Sequence, residues 1–174
     1  MKYRILNQKH NKDASRINLI KSLIARGLIL TGLCTSTMAW SEQIDNRRLR
    51  GNQALAQITG IEGRKVVDSL QKISPELGNW IIDFAYGDVF SRPNISLCTR
   101  ELTTISALTA LGNAQPQLKV HIEGALNVGC TPDEIIETII QMAVYAGFPS
   151  ALNGVSAAKE VFEKKGVIIS ANKK

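Results

Sequence analysis

The stretch Thr131-Pro132-Asp133-Glu134-Ile135-Ile136-Glu137-Thr138-Ile139-Ile140-Gln141-Met142-Ala143-Val144 reads as the start and apolar face of a helix. Thr131 can cap the free N–H groups, Pro132 suits the first helical position, where its missing N–H is no loss, and Glu134 can reach back to Thr131 in a capping box. Ile135, Ile136, Ile139, Ile140, Ala143 and Val144 then recur at i, i+1, i+4, i+5, i+8 and i+9, which lines one wide helical face. Gly147-Phe148-Pro149 breaks the run and opens a last helix, expected to end near Gly166.

Upstream of this stretch the punctuation is also helical. A helix is expected from about Gln115 to Val128, ended by Gly129, whose tolerance of positive φ suits a helix C-terminus. Another is expected from about Ser96 to Leu111, closed by Gly112. Gly87 to Asn94, containing Arg92-Pro93-Asn94, is the most loop-like interior stretch. Ser74-Pro75-Glu76 begins a helix that reaches about Tyr86, with Ser as cap, Pro at the first position and Glu at the positive helix end. Leu49, Ala54, Leu55 and Ile58 mark a first helix, and Val66, Val67, Leu70 and Ile73 a second. No run alternates with the period of a strand and no internal repeat is present, so the expected fold is all-α. A chain of 174 residues with 44% apolar content has room for one core. The expected division is helices over 42–95, a helical core over 96–166 and a short tail over 167–174.

The formal net charge of +6 lies wholly in residues 1–41, where Lys2, Arg4, Lys9, Lys12, Arg16, Lys21 and Arg26 face Asp13 alone. Past that point basic and acidic residues cancel and no basic run remains, which argues against nucleic-acid binding. The basic segment is followed by Gly27-Leu28-Ile29-Leu30-Thr31-Gly32-Leu33, then small residues up to Ala39-Trp40-Ser41. That order is expected of a secretory signal peptide, cleaved before about Glu42 and leaving a periplasmic or secreted protein without a stable membrane span. Export would leave Cys98 and Cys130 in an oxidising compartment, either bridged or as small core residues.

No Walker loop, GxGxxG, HExxH or CxxC occurs in the sequence. Two polar residues stand where the helical pattern expects apolar ones. Glu101 shares a face with Ile105 and Leu108, and His121 with Leu118, Ala125 and Val128, so both are expected to point inward. A carboxyl on an apolar face is a candidate proton donor. Its alternative is a buried ion pair or a first-turn charge that complements the helix dipole. For His121 the alternative is a satisfied core or interface histidine.

Thr99-Arg100-Glu101-Leu102, Ala107-Leu108-Thr109-Ala110-Leu111-Gly112, His121-Ile122-Glu123-Gly124-Ala125-Leu126-Asn127-Val128-Gly129, Glu134-Ile135-Ile136-Glu137 and Tyr145-Ala146-Gly147-Phe148-Pro149-Ser150-Ala151-Leu152-Asn153 resemble successive blocks of the carboxymuconolactone decarboxylase family. The resemblance implies an alkylhydroperoxidase-D-like helical domain that assembles as a homotrimer or homohexamer. It also implies Glu101 and His121 as catalytic residues and Arg100 as a weaker, substrate-binding neighbour. The thiol peroxidases of this superfamily carry CxxC where this chain has Ala114 and Gln117, so peroxidase chemistry is disfavoured. The implied activity is decarboxylation or proton transfer on a small carboxylated lactone, for which no metal or organic cofactor is required. An exported helical oligomer with a purely structural or binding role is the alternative.

Overall fold

The computed structural model describes residue 43 and residues 46–168, so the leader expected over 1–41 lies outside the described residues. The chain divides at Asn46, and the elements from Arg47 onward belong to one unit. Every described element is helical. Helix α1 covers residues 46–70, α2 is Pro75–Trp80 and continues as a π-helical stretch, Ile81–Phe90, and α3 is Leu97–Leu111. Helices α4, α5 and α6 are Gln115–Asn127, Pro132–Ala146 and Phe148–Lys165.

The expected capping box is formed. Thr131 Oγ1 accepts from the Glu134 amide at 3.1 Å, and Glu134 Oε2 accepts from the Thr131 amide at 2.7 Å. Hydrogen bonds from the Thr131 amide and hydroxyl hold the Glu134 carboxyl below its ordinary range. Gly112, Gly129 and Gly166 take the positive φ angles their helix ends require.

The N-terminal half departs from expectation in three places. The two helices expected there are one, which runs unbroken through Gly60 at φ 57°. Ser74 sits at the cap position of α2 but its side chain makes no capping hydrogen bond. The expected loop from Gly87 begins only at Ser91, because residues through Phe90 stay in the π-helical stretch and the Ser91 amide donates to the Tyr86 carbonyl at 3.1 Å.

Two apolar clusters form the interior. Ile105, Leu118, Ile122, Ala125, Ile135, Ile139, Ala157 and Phe162 join α3 to α6, and α5 packs most extensively on α6. Ala54, Leu55, Ile58, Val67, Ile82 and Tyr86 seat α1 on the π-helical stretch. The approach is close: a Cβ at Gly51 would lie 2.0 Å from the Ile82 carbonyl oxygen. The face expected on α5 is only partly interior, since Ile135 and Ile139 are buried while Ile140 and Val144 are exposed. Among the described residues no helix is long and apolar enough to cross a membrane.

Cys98, in the first turn of α3, is disulfide-bonded to Cys130, in the loop after α4, with Cα atoms 5.3 Å apart. The bond ties the start of α3 to the end of α4. On the chain-entropy account, closing a loop across a separation of 32 residues restricts the unfolded chain by about 3–4 kcal/mol. We therefore expect the double variant Cys98→Ser, Cys130→Ser to lose about 3–4 kcal/mol of unfolding free energy in denaturant titrations. Equal midpoints and slopes for variant and parent would contradict this role.

Candidate functional site

Helix α3 starts firmly, because Ser96 Oγ accepts from the Thr99 amide at 3.0 Å. From that start Glu101, Ile105 and Thr109 fall at i, i+4 and i+8 and form the buried row of the helix. The Glu101 side chain is 0% exposed. On α4, Leu118, Ile122 and Ala125 are buried, and His121 lies at the edge of that face with its side chain 18% exposed. The two helices bring His121 Nδ1 to 2.9 Å from Glu101 Oε2. That leaves Nε2 as the ring nitrogen not engaged by the acid. Glu101 Oε1 is buried without a hydrogen-bond partner among the described residues.

The pair fits because α4 carries glycine one turn after the histidine. A Cβ at Gly124 would stand 2.9 Å from Ile58 Cγ2 and 3.1 Å from Glu101 Oε2, so any side chain there would press on both α1 and the carboxyl. The imidazole is covered from the other side by Phe90, with ring centroids 6.3 Å apart and planes inclined by 26°. Tyr86 packs on Phe90 in turn, at 5.2 Å. Burial, reinforced by the nearby Glu101 charge, pushes the Tyr86 phenol well above its ordinary range, so it remains an O–H group.

His121, Tyr86 and Phe90 wall a cavity of about 330 Å³, completed chiefly by Leu55, Val66 and Val120 with Thr59, Thr104 and Gln117 as polar points. Its lining contains no lysine, arginine, aspartate or glutamate among the described residues. Glu101 is not on that wall and stands behind the imidazole. Arg100 is not on it either: its Nη2 donates to the Arg92 carbonyl oxygen at 2.8 Å. The structure thus brings together Glu101 and His121 and sets Arg100 apart from them.

Sequence reasoning missed Tyr86 and Phe90, although Ile82, Tyr86 and Phe90 recur at i, i+4 and i+8. Phe90 falls within the stretch expected to be a loop, Gly87 to Asn94. Gly124 stands out in the sequence only as part of a resembling block, because a glycine that makes room for a carboxyl leaves no pattern along the chain.

The all-helical fold is the one the resemblance to the carboxymuconolactone decarboxylase family implies, and comparison with known proteins agrees on the family. The model of the carboxymuconolactone decarboxylase family matches residues 75–160. The 4-carboxymuconolactone decarboxylase of Acinetobacter baylyi is 36% identical over 126 residues, covering 70% of this chain and 93% of that protein. The chain belongs to the carboxymuconolactone decarboxylase family. It is also similar to the nitrosuccinic acid decarboxylase of Metarhizium robertsii, 35% identical over 75 residues, covering 43% of this chain and 52% of that protein. An uncharacterized 15.0 kDa protein of Paracoccus denitrificans is 33% identical over 98 residues, covering 56% of this chain and 73% of that protein. The family match begins at Pro75, upstream of the core expected over 96–166, and so takes in the π-helical stretch.

Because Gly124 leaves room for the acid, Gly124→Ala is expected to destabilise the fold by about 1–3 kcal/mol through overpacking. It should also displace the imidazole resonances of His121. Parent-like melting together with unchanged ring resonances would show that the clearance is not needed.

Proposed function

We propose that the protein is a carboxy-lyase that removes carbon dioxide from a small carboxylated, unsaturated lactone without a metal or organic cofactor. The observation that carries this reading is an imidazole, backed by a fully buried carboxyl, facing an apolar cavity whose described lining holds no lysine or arginine side chain. A cation beside the departing carboxylate would stabilise the ground state and oppose the reaction; an uncharged wall does not.

In this reading the bond between the ring carbon and the carboxylate breaks, carbon dioxide leaves, and the electron pair passes through the ring to the lactone carbonyl oxygen as a dienolate. Hydrogen-bond donors on the wall stabilise that oxygen. The Tyr86 hydroxyl suits this role, since its raised pKa keeps the proton in place. A proton must then return to carbon. Glu101, the candidate proton donor by its place in the helical pattern, does not line the cavity. With Glu101 behind the ring holding Nδ1, the route we favour has Nε2 give a proton to carbon. Arg100 has no direct part in this scheme.

We further infer that the mature protein is exported, a reading supported by the Cys98–Cys130 bond, which persists in oxidising compartments. We also infer assembly as a trimer or hexamer. Its support is the exposed apolar stripe of Ile140, Val144, Phe148 and Leu152 across α5 and α6. Light scattering should give a trimer or hexamer for the parent and a smaller species for Phe148→Asp. A parent monomer at micromolar concentration would remove the shared assembly.

The chemistry is tested by carbon dioxide release from carboxymuconolactone with purified protein. Glu101→Gln should reduce turnover roughly 100-fold or more with folding preserved, and His121→Ala by a comparable factor, measured below a melting temperature lowered because the buried Glu101 loses its partner. Cys98→Ser with Cys130→Ser should leave turnover intact below its lowered melting temperature. No release by the parent would overturn the named reaction, and loss only in the cysteine variant would point to thiol chemistry.

A further inference from the structure

Phe90 also borders a second cavity, of about 350 Å³, which the proposed reaction does not use. Its polar lining is Arg50, Gln53 and Gln57 from α1 with Ser91 and Arg92 from the loop after the π-helical stretch. Arg50, Gln53 and Gln57 are spaced i, i+3 and i+7, so they share one face of α1. Ile95, Leu97, Pro93 and the Phe90 ring supply an apolar floor.

Among the described residues the charges here are unbalanced in a way the neighbouring surface is not. Arg47 and Arg48, one turn earlier on α1, bond to Asp88 and Asp83. Among the described residues neither Arg50 nor Arg92 bonds to a carboxylate, and no acidic side chain lines the cavity. Arg100 adds a third guanidinium at this end, bonded to the Arg92 carbonyl oxygen, with its Nε buried and without a partner among the described residues. Two guanidinium forks and two carboxamides around an apolar floor match an anion that has both a planar carboxylate and a hydrocarbon body. A compact inorganic anion would leave the floor unused.

We propose that this second cavity is a binding site for a small organic carboxylate, held by Arg50 and Arg92 and separate from the place where carbon dioxide is lost. Gln53 and Gln57 donate to the carboxylate oxygens or to a further polar group, and the hydrocarbon body rests on Phe90 and Ile95. The site goes beyond the decarboxylase reading and does not depend on it, because occupancy is measured without turnover.

Benzoate is a suitable probe, titrated calorimetrically into the full-length protein. Arg50→Gln and Arg92→Gln should each weaken binding roughly tenfold or more, as loss of a charge-assisted hydrogen bond requires. His121→Ala should leave it unchanged. Arg92→Lys, which keeps the charge but not the fork, should fall between the parent and Arg92→Gln. Absence of benzoate binding at millimolar concentration would overturn the proposal. So would binding that survives both arginine variants but is lost in His121→Ala, since the probe would then occupy the other cavity. Inorganic phosphate that binds as tightly as benzoate would reduce the site to an unspecific cationic patch and overturn it too.

Discussion

A carboxyl group taken fully out of water is the constraint around which this fold is arranged. Burying an ionisable group is costly unless partners compensate it, and Glu101 has one, the His121 imidazole at 2.9 Å. Keeping that partner in place requires the ring to be packed. Phe90 covers one side of it, Tyr86 packs on Phe90, and Gly124 clears the space that Ile58 and the carboxyl share. These residues come from α1, the π-helical stretch, α3 and α4. The acid therefore lies where the two apolar clusters meet, and the same contacts that join the clusters orient the imidazole.

The separation of charge from the apolar cavity follows from this arrangement. Cationic side chains gather at the N-terminal end of α1 and in the loop before α3, whereas the cavity in front of His121 is lined by uncharged residues. Elsewhere the ionic contacts lie outside the core. Glu123 on α4 is partly desolvated, which would raise its carboxyl, but Lys165 and Lys164 on α6 outweigh that and hold it below its ordinary range. A depressed folded-state pKa stabilises the fold above the ordinary carboxylate range, and that contribution fades as pH falls through the folded value.

How much of this was legible in the sequence varied with the range of the signal. The capping box at Thr131 and the glycines that end α3, α4 and α6 are local events, and their chemistry sits within a few residues. The inward position of Glu101 followed from spacing alone. What failed depended on neighbours. Spacing marks Ile140 and Val144 as equivalent to Ile135 and Ile139, yet the single chain covers only the latter pair. The spacing of Leu49 to Ile58 and of Val66 to Ile73 reads as two helices, but α1 continues through Gly60 at positive φ. Arg100 follows from its place beside Glu101 in sequence, but consecutive residues on a helix point about 100° apart. The order of acid, imidazole and cavity is a three-dimensional relation, and nothing along the chain encodes which of two inward groups stands in front.

The π-helical stretch sets a limit on how this chain can change length. A helix bonded to the fifth residue back holds more residues per turn than one bonded to the fourth, and such segments recur at functional sites. Loss of one residue between Ile81 and Phe90 would let an α-helix form in its place and rotate the downstream side chains by about 100°. Tyr86 and Phe90 would then no longer face the imidazole together, even with every cavity residue still present. For this segment a deletion is a larger change than almost any substitution, because residue count rather than composition keeps the aromatic wall in register.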